Sequence, residues 1–490
     1  MPLDPEKRDS LPSVSTSTGA GAAGCLDVFR NLFVNDKIKT AKHQQPSNEK
    51  PLDSTLPPAY ESHAEYPEMS QVPTTAAASA QAQADLVEAW TKNEFAKAVH
   101  EAIEAVSTEL RQISLQLHSN PELAYEEYKA HALLTDYLEK KGFAVQRSAY
   151  GLETAFVARA GNSDKVTIGI CSEYDALPGI GHACGHNLIA ISGVATAIGL
   201  QVAIQKFNLE AEVKLFGTPA EETTGGKIVM LNNGAFEGVD VCMMLHGANA
   251  DVIYPAFLAL DTVDVEYFGK ASHASASPWE GINALDAAVL AYTNIGLMRQ
   301  QMHPSQRVHG IIKDGGQAVN IIPEYTKSTY TVRAPKWDEV VLLKQKIERV
   351  LKGAATSTGC TVKLTWGVPY KDILTNEHLV KRFEHHMNAQ GLKYASKTEQ
   401  LSKLSGSTDM GNMSYALPGI HPMFNILNLD GSDYPMGLHT KDFAHAAAQP
   451  KGHTATLRAA KSLAMTGVDC ILDKNLLKQV KHEFAKSTQQ

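Results

Sequence analysis

Glu173-Tyr174-Asp175-Ala176-Leu177-Pro178-Gly179-Ile180-Gly181-His182-Ala183-Cys184-Gly185-His186-Asn187 is the stretch that decides how the chain folds. It follows an apolar run at 166–171 that reads as a buried strand, and it opens an apolar run at 187–207 that reads as a helix. Strand, polar loop and helix make the repeating unit of an open α/β sheet, whose sites form at the carboxyl ends of the strands. Cys184 and His186, two apart where loop becomes helix, can face one ion. Thiolate and imidazole suit zinc or another borderline metal. A cysteine and two histidines packed beside a glycine turn would give the same spacing, so this pair alone does not settle the matter.

Three further places repeat the arrangement. An apolar run at 212–217 leads into Thr218-Pro219-Ala220-Glu221-Glu222. Adjacent carboxylates at the end of an apolar strand are costly unless something positive compensates them. On extended backbone they point opposite ways, which divides them into a ligand, Glu222, and a general base, Glu221. A solvated charged turn is the plainer alternative, weakened by the strand before it and Gly225-Gly226 after it. His246 follows a buried-type run at 241–245, and His439 sits in a loop at 437–443. Cys184, His186, Glu222, His246 and His439 are enough donors for two ions sharing one bridging group. In two-metal hydrolases, ions roughly 3.5–4 Å apart activate water and polarise a carbonyl.

Outside these loops, strand-like runs at 154–160, 166–171, 212–217 and 241–245 alternate with helical patterns at 187–207 and 226–232. That alternation predicts a sheet with parallel connections. Phe95, Val99, Ile103, Val106, Leu110 and Ile113 keep helical spacing and predict one amphipathic helix over 93–116, broken before Pro121. A further helix is expected at 125–141. After about residue 256 the rhythm changes. Strand-like runs at 259–268 and 326–333 enclose a helix at 282–299, with another helix at 337–351, which reads as a compact α+β insertion with its own sheet. The α/β pattern then resumes and ends in a helix at 455–472. A length of 490 residues accommodates two or three domains. The expected division is a tail, 1–85, an α/β domain formed by 86–258 and 374–490, and the insertion, 259–373.

The tail is rich in Ser, Thr, Pro, Gln and Ala and is expected to be disordered, apart from an amphipathic piece at 25–33. Pro57-Pro58-Ala59-Tyr60 is a PPxY sequence that can dock on a WW domain, although so short a pattern also arises by chance. A net charge of -8 argues against a general nucleic-acid binder. The apolar stretch at 189–204 is interrupted by Ser192 and Gln201 and falls short of the ~20 apolar residues of a bilayer span, so no membrane segment is expected. Asp4 and Glu6 stand where a secretory signal would be basic. Cys25, Cys171, Cys184, Cys242, Cys360 and Cys470 have no paired spacing, which suits reduced thiols in the cytoplasm.

Taken together, these motifs resemble the M20 metallopeptidase family, in its amidohydrolase branch, over about residues 100 to 475. They are LHSNPELAYEE from Leu117, EYDALPGIGHACGHN from Glu173, GTPAEETTGGK from Gly217, LHG from Leu245, GKASHASASPWEGINALDA from Gly269 and LHTKDF from Leu438. Within the branch the chain is most similar to the aminoacylase-1-like-2 group, which includes dipeptidases acting on β-alanyl and γ-aminobutyryl dipeptides of basic amino acids. The resemblance implies a two-domain metallo-exopeptidase-like fold, with the insertion as lid and dimerisation domain.

It also implies two divalent ions per subunit, zinc or manganese with cobalt a further candidate, held by Cys184, His186, Glu222, His246 and His439, the thiolate bridging. Glu221 would be the general base, and Asp175 would orient a metal-binding side chain. His273 would reach an active site, often the partner subunit's, to stabilise the oxyanion, and Asn320 and Arg333 would meet the substrate's carboxylate. One departure is Asn187, where much of the branch reads Cys-Gly-His-Asp; a neutral amide lacks that negative charge. The implied reaction is hydrolysis of a small dipeptide or N-acyl amino acid by a cytoplasmic homodimer. Three alternatives stay open: a non-catalytic binding protein on the same scaffold, a peptidase acting on longer peptides, and an amidohydrolase tailoring a specialised metabolite.

Overall fold

The structure, a computed structural model, describes residues 93–403, 406–427 and 437–489. The PPxY sequence and the 25–33 piece lie outside the described residues. The first helical pattern forms two helices, α1 (Glu94–Ala105) and α2 (Ser107–Ser119), not the single helix expected. The break falls at Val106, φ -101 and ψ 4, where a β-branched residue is followed by Ser107 and Thr108, both weak helix formers. Helix α3 (Tyr128–Lys140) leads to strands β1 (Ala144–Arg147), β2 (Phe156–Gly161) and β3 (Thr167–Ser172). Then come α4 (His186–Lys206), β4 (Glu212–Gly217), α5 (Gly226–Asn232), β5 (Val241–Met243) and β6 (His246–Ala248). The apolar stretch noted at 189–204 is part of α4. This helix is long and apolar enough to cross a membrane, but it is enclosed by the sheet and by α1 and α2, as a core helix is.

The insertion consists of β7 (Ala259–Phe268), α6 (Ala284–Met298), β8 (Arg307–Asp314), β9 (Tyr325–Ala334), α7 (Trp337–Thr358) and β10 (Thr361–Trp366). Its four strands run antiparallel in the order β10-β7-β9-β8. Burial alternates residue by residue along β7 and β9, because one face packs under α6 and α7 and the other is open. Strands β8 and β10 carry no buried alternation to read, since they are the exposed edges of the sheet. That is why the sequence pattern missed them. The insertion has a hydrophobic core of its own, built on Val263, Tyr267, Ala288, Leu343 and Leu351.

The chain returns through α8 (Glu377–Ala389), α9 (Lys397–Leu401), α10 (Met410–Ser414), β11 (Gly419–Ile420) and β12 (Met423–Asn425). It closes with α11 (Lys441–Ala447), α12 (Pro450–Leu472) and α13 (Lys474–Ser487). Proline at the first position of α12 starts that helix five residues earlier than its apolar pattern does. The main sheet has the order β1-β2-β4-β3-β5-β11. The pairs β4-β3, β3-β5 and β5-β11 are parallel, as expected, whereas β1-β2 and β2-β4 are antiparallel, so the sheet is mixed. The connection from β1 to β2 is too short for a parallel crossover, which needs about a dozen residues or more. Beside this sheet, β6 and β12 pair in parallel as a separate ribbon.

Gly226 shows how tightly the loop after β4 is wound. A Cβ there would sit 1.9 Å from the Pro219 carbonyl oxygen, which is backbone and cannot swing aside. Gly226→Ala should lose about 1–3 kcal/mol in denaturant unfolding, as overpacked sites do. Gly353→Ala, in α7 where an added Cβ meets nothing within 4 Å, should be neutral or gain about 0.5–1 kcal/mol. Equal stability for the two variants would contradict the described loop.

Candidate active site: a donor cluster at the strand ends

Each expected donor arrives on backbone shaped to deliver it. Gly185, at φ 81, turns the loop after β3 so that Cys184 and His186 meet the start of α4. Ala220 takes the left-handed φ of 60 just before Glu221 and Glu222. His246 opens β6, and His439, at φ 63, precedes α11. These loops bring all five expected ligands together. Cys184 Sγ lies 3.5 Å from His246 Nε2, His186 Nε2 lies 3.7 Å from Glu222 Oε1, and His439 Nε2 lies 3.5 Å from the same oxygen. Donor atoms of Cys184, His186 and His246, of Cys184, Glu222 and His439, and of His186, Glu221 and Glu222 fall within 4.8 Å of one another in each set.

Atoms that share a tetrahedral ion at roughly 2.1 Å lie about 3.4 Å apart, so these separations suit ligation better than direct hydrogen bonding. A second observation agrees. His186 Nε2, Glu222 Oε1 and Glu173 Oε2 are buried with no hydrogen-bond partner among the described residues, and Glu173 Oε2 is 3.4 Å from His186 Nε2. Buried polar atoms are ordinarily paired, and a cation held by His186 and Glu222 would account for two of the three. The donor set therefore fits a metal.

Neighbouring groups fix the donors. Asp175 Oδ1 is 3.1 Å from His186 Nδ1, and Asp175 Oδ2 accepts from the Glu222 backbone N–H at 3.0 Å. One carboxylate thus sets the histidine ring, leaving Nε2 free to ligate, and also anchors Glu222. His246 Nδ1 donates to the Gly247 carbonyl at 2.6 Å, and burial holds its pKa below the usual value, so its Nε2 presents a lone pair. Burial pushes the Cys184 thiol well up, opposed by His186; a cation would stabilise the thiolate. Burial likewise raises Glu221 well above the carboxylate range, reinforced by the charges of Glu173 and Asp409, which is the direction a general base working near neutrality needs.

Four supporting residues carry no signal of role in the sequence. Glu127 Oε1 accepts from Ala220 N at 2.9 Å and its Oε2 from Thr154 Oγ1 at 2.8 Å, so it clamps the left-handed turn that aims the glutamate pair. Burial raises the pKa of Glu127 to about 7. Tyr370 donates to the Glu221 carbonyl at 2.7 Å. Beneath them Lys227, fully enclosed, meets Glu173 at 2.5 Å and Asp409 at 2.6 Å, and Asp409 also accepts from the Lys227 backbone N–H. Glu127 and Lys227 stand inside motifs quoted above, but a lone polar residue has no spacing that reveals its partner.

A cavity of about 650 Å³ opens over Cys184, Glu222, His246 and His439 and is also lined by Arg333 and Tyr370. Arg333 reaches it from β9 of the inserted sheet and donates to Ser407 Oγ at 3.0 Å. Gly406, Ser407 and Thr408, from the polar loop before α10, also line it. His273 and Asn320 do not line the cavity in a single chain; both are exposed and lie side by side, Ala274 donating to the Asn320 carbonyl at 3.0 Å. Asn187 Nδ2 donates to Ser114 Oγ at 2.9 Å and to the Ala447 carbonyl at 3.1 Å, while its Oδ1 is buried with no hydrogen-bond partner among the described residues. An ionised carboxylate could not donate to that carbonyl, so the amide serves packing of α4 against α2 and α11.

An α/β sheet with a donor cluster at its strand ends, an adjacent carboxylate and an inserted antiparallel sheet facing the cavity defines a metallohydrolase of the exopeptidase type. Residues 169–460 match the model of peptidase family M20/M25/M40, and the chain belongs to that family. It is similar to the Xaa-Arg dipeptidase of Mus musculus, 44% identical over 397 residues that cover 78% of this chain and 90% of that one. The Xaa-Arg dipeptidase of Homo sapiens is 42% identical over 407 residues, covering 80% and 92%. The fold is also that of a dinuclear metal-binding peptidase of the M20 family from Bacillus subtilis, with a TM-score of 0.54 and 20% identity over 73% of this chain and 98% of that one. The protein is a hydrolase of this metallopeptidase family.

The Glu127 clamp can be tested without touching a donor. Glu127→Ala should weaken metal binding by about 10- to 100-fold with the fold intact by circular dichroism. Glu127→Gln, which keeps an oxygen for Ala220, should recover most of the loss in isothermal titration. Unchanged affinity in Glu127→Ala would show that the turn holds without it.

Proposed function

We propose that the protein is a dipeptidase that hydrolyses the amide bond of small dipeptides or N-acyl amino acids, with a preference for a basic carboxyl-terminal residue. The observation that carries this reading is the convergence of Cys184, His186, Glu222, His246 and His439 beside Glu221 in one cavity. Cys184, His186 and Glu222 each belong to two of the donor sets, so the cluster would accommodate two divalent ions, zinc or manganese. When bound, such ions supply Lewis acidity that lowers the pKa of water and polarises the amide carbonyl. Glu221 takes a proton from the attacking water and hands it to the leaving amine. Asp175 keeps His186 and Glu222 in place throughout, and Tyr370 and Glu127 hold the backbone on either side of Glu221. Arg333 receives the substrate carboxylate through its guanidinium fork. The basic preference follows the two relatives named for arginine dipeptides. A complete donor set weighs against a purely non-catalytic role.

His273 and Asn320 complete the site in this reading from a second copy of the chain, His273 donating to the developing oxyanion. Supporting a homodimer, β8 is an unpaired sheet edge with Ile311 and Ile312 exposed, and α6 exposes Val289 and Tyr292 beside it. Among the described residues, five cysteines are buried and free of disulfides, which fits a cytoplasmic protein, and Pro57-Pro58-Ala59-Tyr60 is proposed as a WW-domain ligand.

Purified protein supplied with zinc or manganese should cleave alanyl-arginine or β-alanyl-lysine, with products identified by mass spectrometry. Glu221→Gln should keep its metal and lose about 10²- to 10⁴-fold in turnover. Normal turnover in that variant would remove Glu221 as the base. Glu221→Gln and His273→Ala, each inactive, should regain activity as a mixed dimer, since one site then holds both groups; no recovery would place His273 in its own chain's site.

A further inference from the structure

Beyond the donor cluster, the charges lining the cavity do not cancel among the described residues. Arg333 donates to a neutral hydroxyl, and no carboxylate lies within 4.0 Å of it among the described residues. Glu399 has Lys403 at 3.9 Å. That leaves Asp251, three residues beyond β6. Its Oδ1 accepts from the backbone N–H of Asn425 in β12 at 2.9 Å, and no Lys, Arg or His nitrogen lies within 4.0 Å of its carboxylate among the described residues. The carboxylate is built in. The strand it follows carries His246, and the strand that holds it is the partner of that strand, with Asn425 opposite Ala248. A half-buried charge facing a cavity without a counter-charge is costly unless a ligand supplies one.

We propose that Asp251 is the residue that selects the cationic side chain of the substrate's carboxyl-terminal amino acid. The assignment rests on the dipeptidase reading above and adds the specificity group to it. Among the described residues, Arg333 and Asp251 present one unpaired cation and one unpaired anion to the same cavity. An amino acid with a carboxylate and a guanidinium or ammonium side chain presents the complementary pair. The rival occupant is the amino group of the substrate's first residue. The side chain is favoured because the similar enzymes are named for arginine at the second position and leave the first one open. A neutral carboxyl-terminal side chain would leave Asp251 desolvated and unpaired, so discrimination comes as much from that penalty as from the ion pair itself.

Asp251→Asn is the direct test, since the amide oxygen can still accept from Asn425 and the volume is unchanged. The kcat/KM ratio for alanyl-arginine over alanyl-leucine should fall about 10- to 100-fold, mainly through KM, while metal content stays at the wild-type value. Binding of free arginine against its neutral isostere citrulline, followed by calorimetry, should show the same loss of preference. An unchanged ratio and an unchanged arginine preference would overturn the assignment. So would a loss seen with alanyl-arginine but absent with N-acetyl-arginine, which would give Asp251 to the amino group. A wild-type protein that cuts no dipeptide yet prefers arginine to citrulline through Asp251 would remove the dipeptidase reading and leave the selector in place.

Discussion

Negative charge enclosed at the ends of the strands is the constraint that organises this molecule. Glu127, Glu173, Asp175, Glu221 and Asp409 are buried within a short reach of one another, Glu222 nearly so, and the enclosed ammonium among them is Lys227. Lys227 holds Glu173 and Asp409, and backbone amides of Ala220 and Glu222 hold Glu127 and Asp175. Three donor atoms facing the centre remain unpaired. Burying such groups without compensation is costly, and cations held by Cys184, His186, Glu222, His246 and His439 would supply it. The left-handed Ala220 and His439, the Gly185 turn and the close approach of Gly226 to Pro219 serve that arrangement.

What could be read from the sequence followed the strength of local signals. Strand β3, helix α4 and the Cys184-His186 pair lie in one continuous stretch, and β4 with Glu221-Glu222 in another, so periodicity and the end of each strand located them. Burial that alternates along β7 and β9 made the inserted sheet visible, while its exposed edges β8 and β10 left no pattern. The antiparallel β2 was hidden because pairing direction depends on connection length and neighbours, not on the residues of the strand. Residues that act on other residues were the hardest to see. Glu127 is 93 positions from Ala220 and Lys227 is 182 from Asp409, and nothing at either position announces the other.

The two sheets divide the work. Loops after β3 and β4 of the mixed sheet carry Cys184, His186, Glu221 and Glu222, the β6–β12 ribbon carries His246, and the inserted sheet extends Arg333 to the cavity from β9. Since Arg333 and the β6–β12 ribbon stand on different sheets, a substrate spanning both would tie the insertion to the catalytic body as it binds.

Cys184, His186, Glu222, His246 and His439 are proposed to hold two ions, with Glu221 left free. Anomalous diffraction at the metal edge from crystals grown with zinc or manganese measures this directly. Two peaks roughly 3.5–4 Å apart are expected, with Glu222 ligated and Glu221 not. A single peak, or Glu221 ligated in place of Glu222, would contradict it.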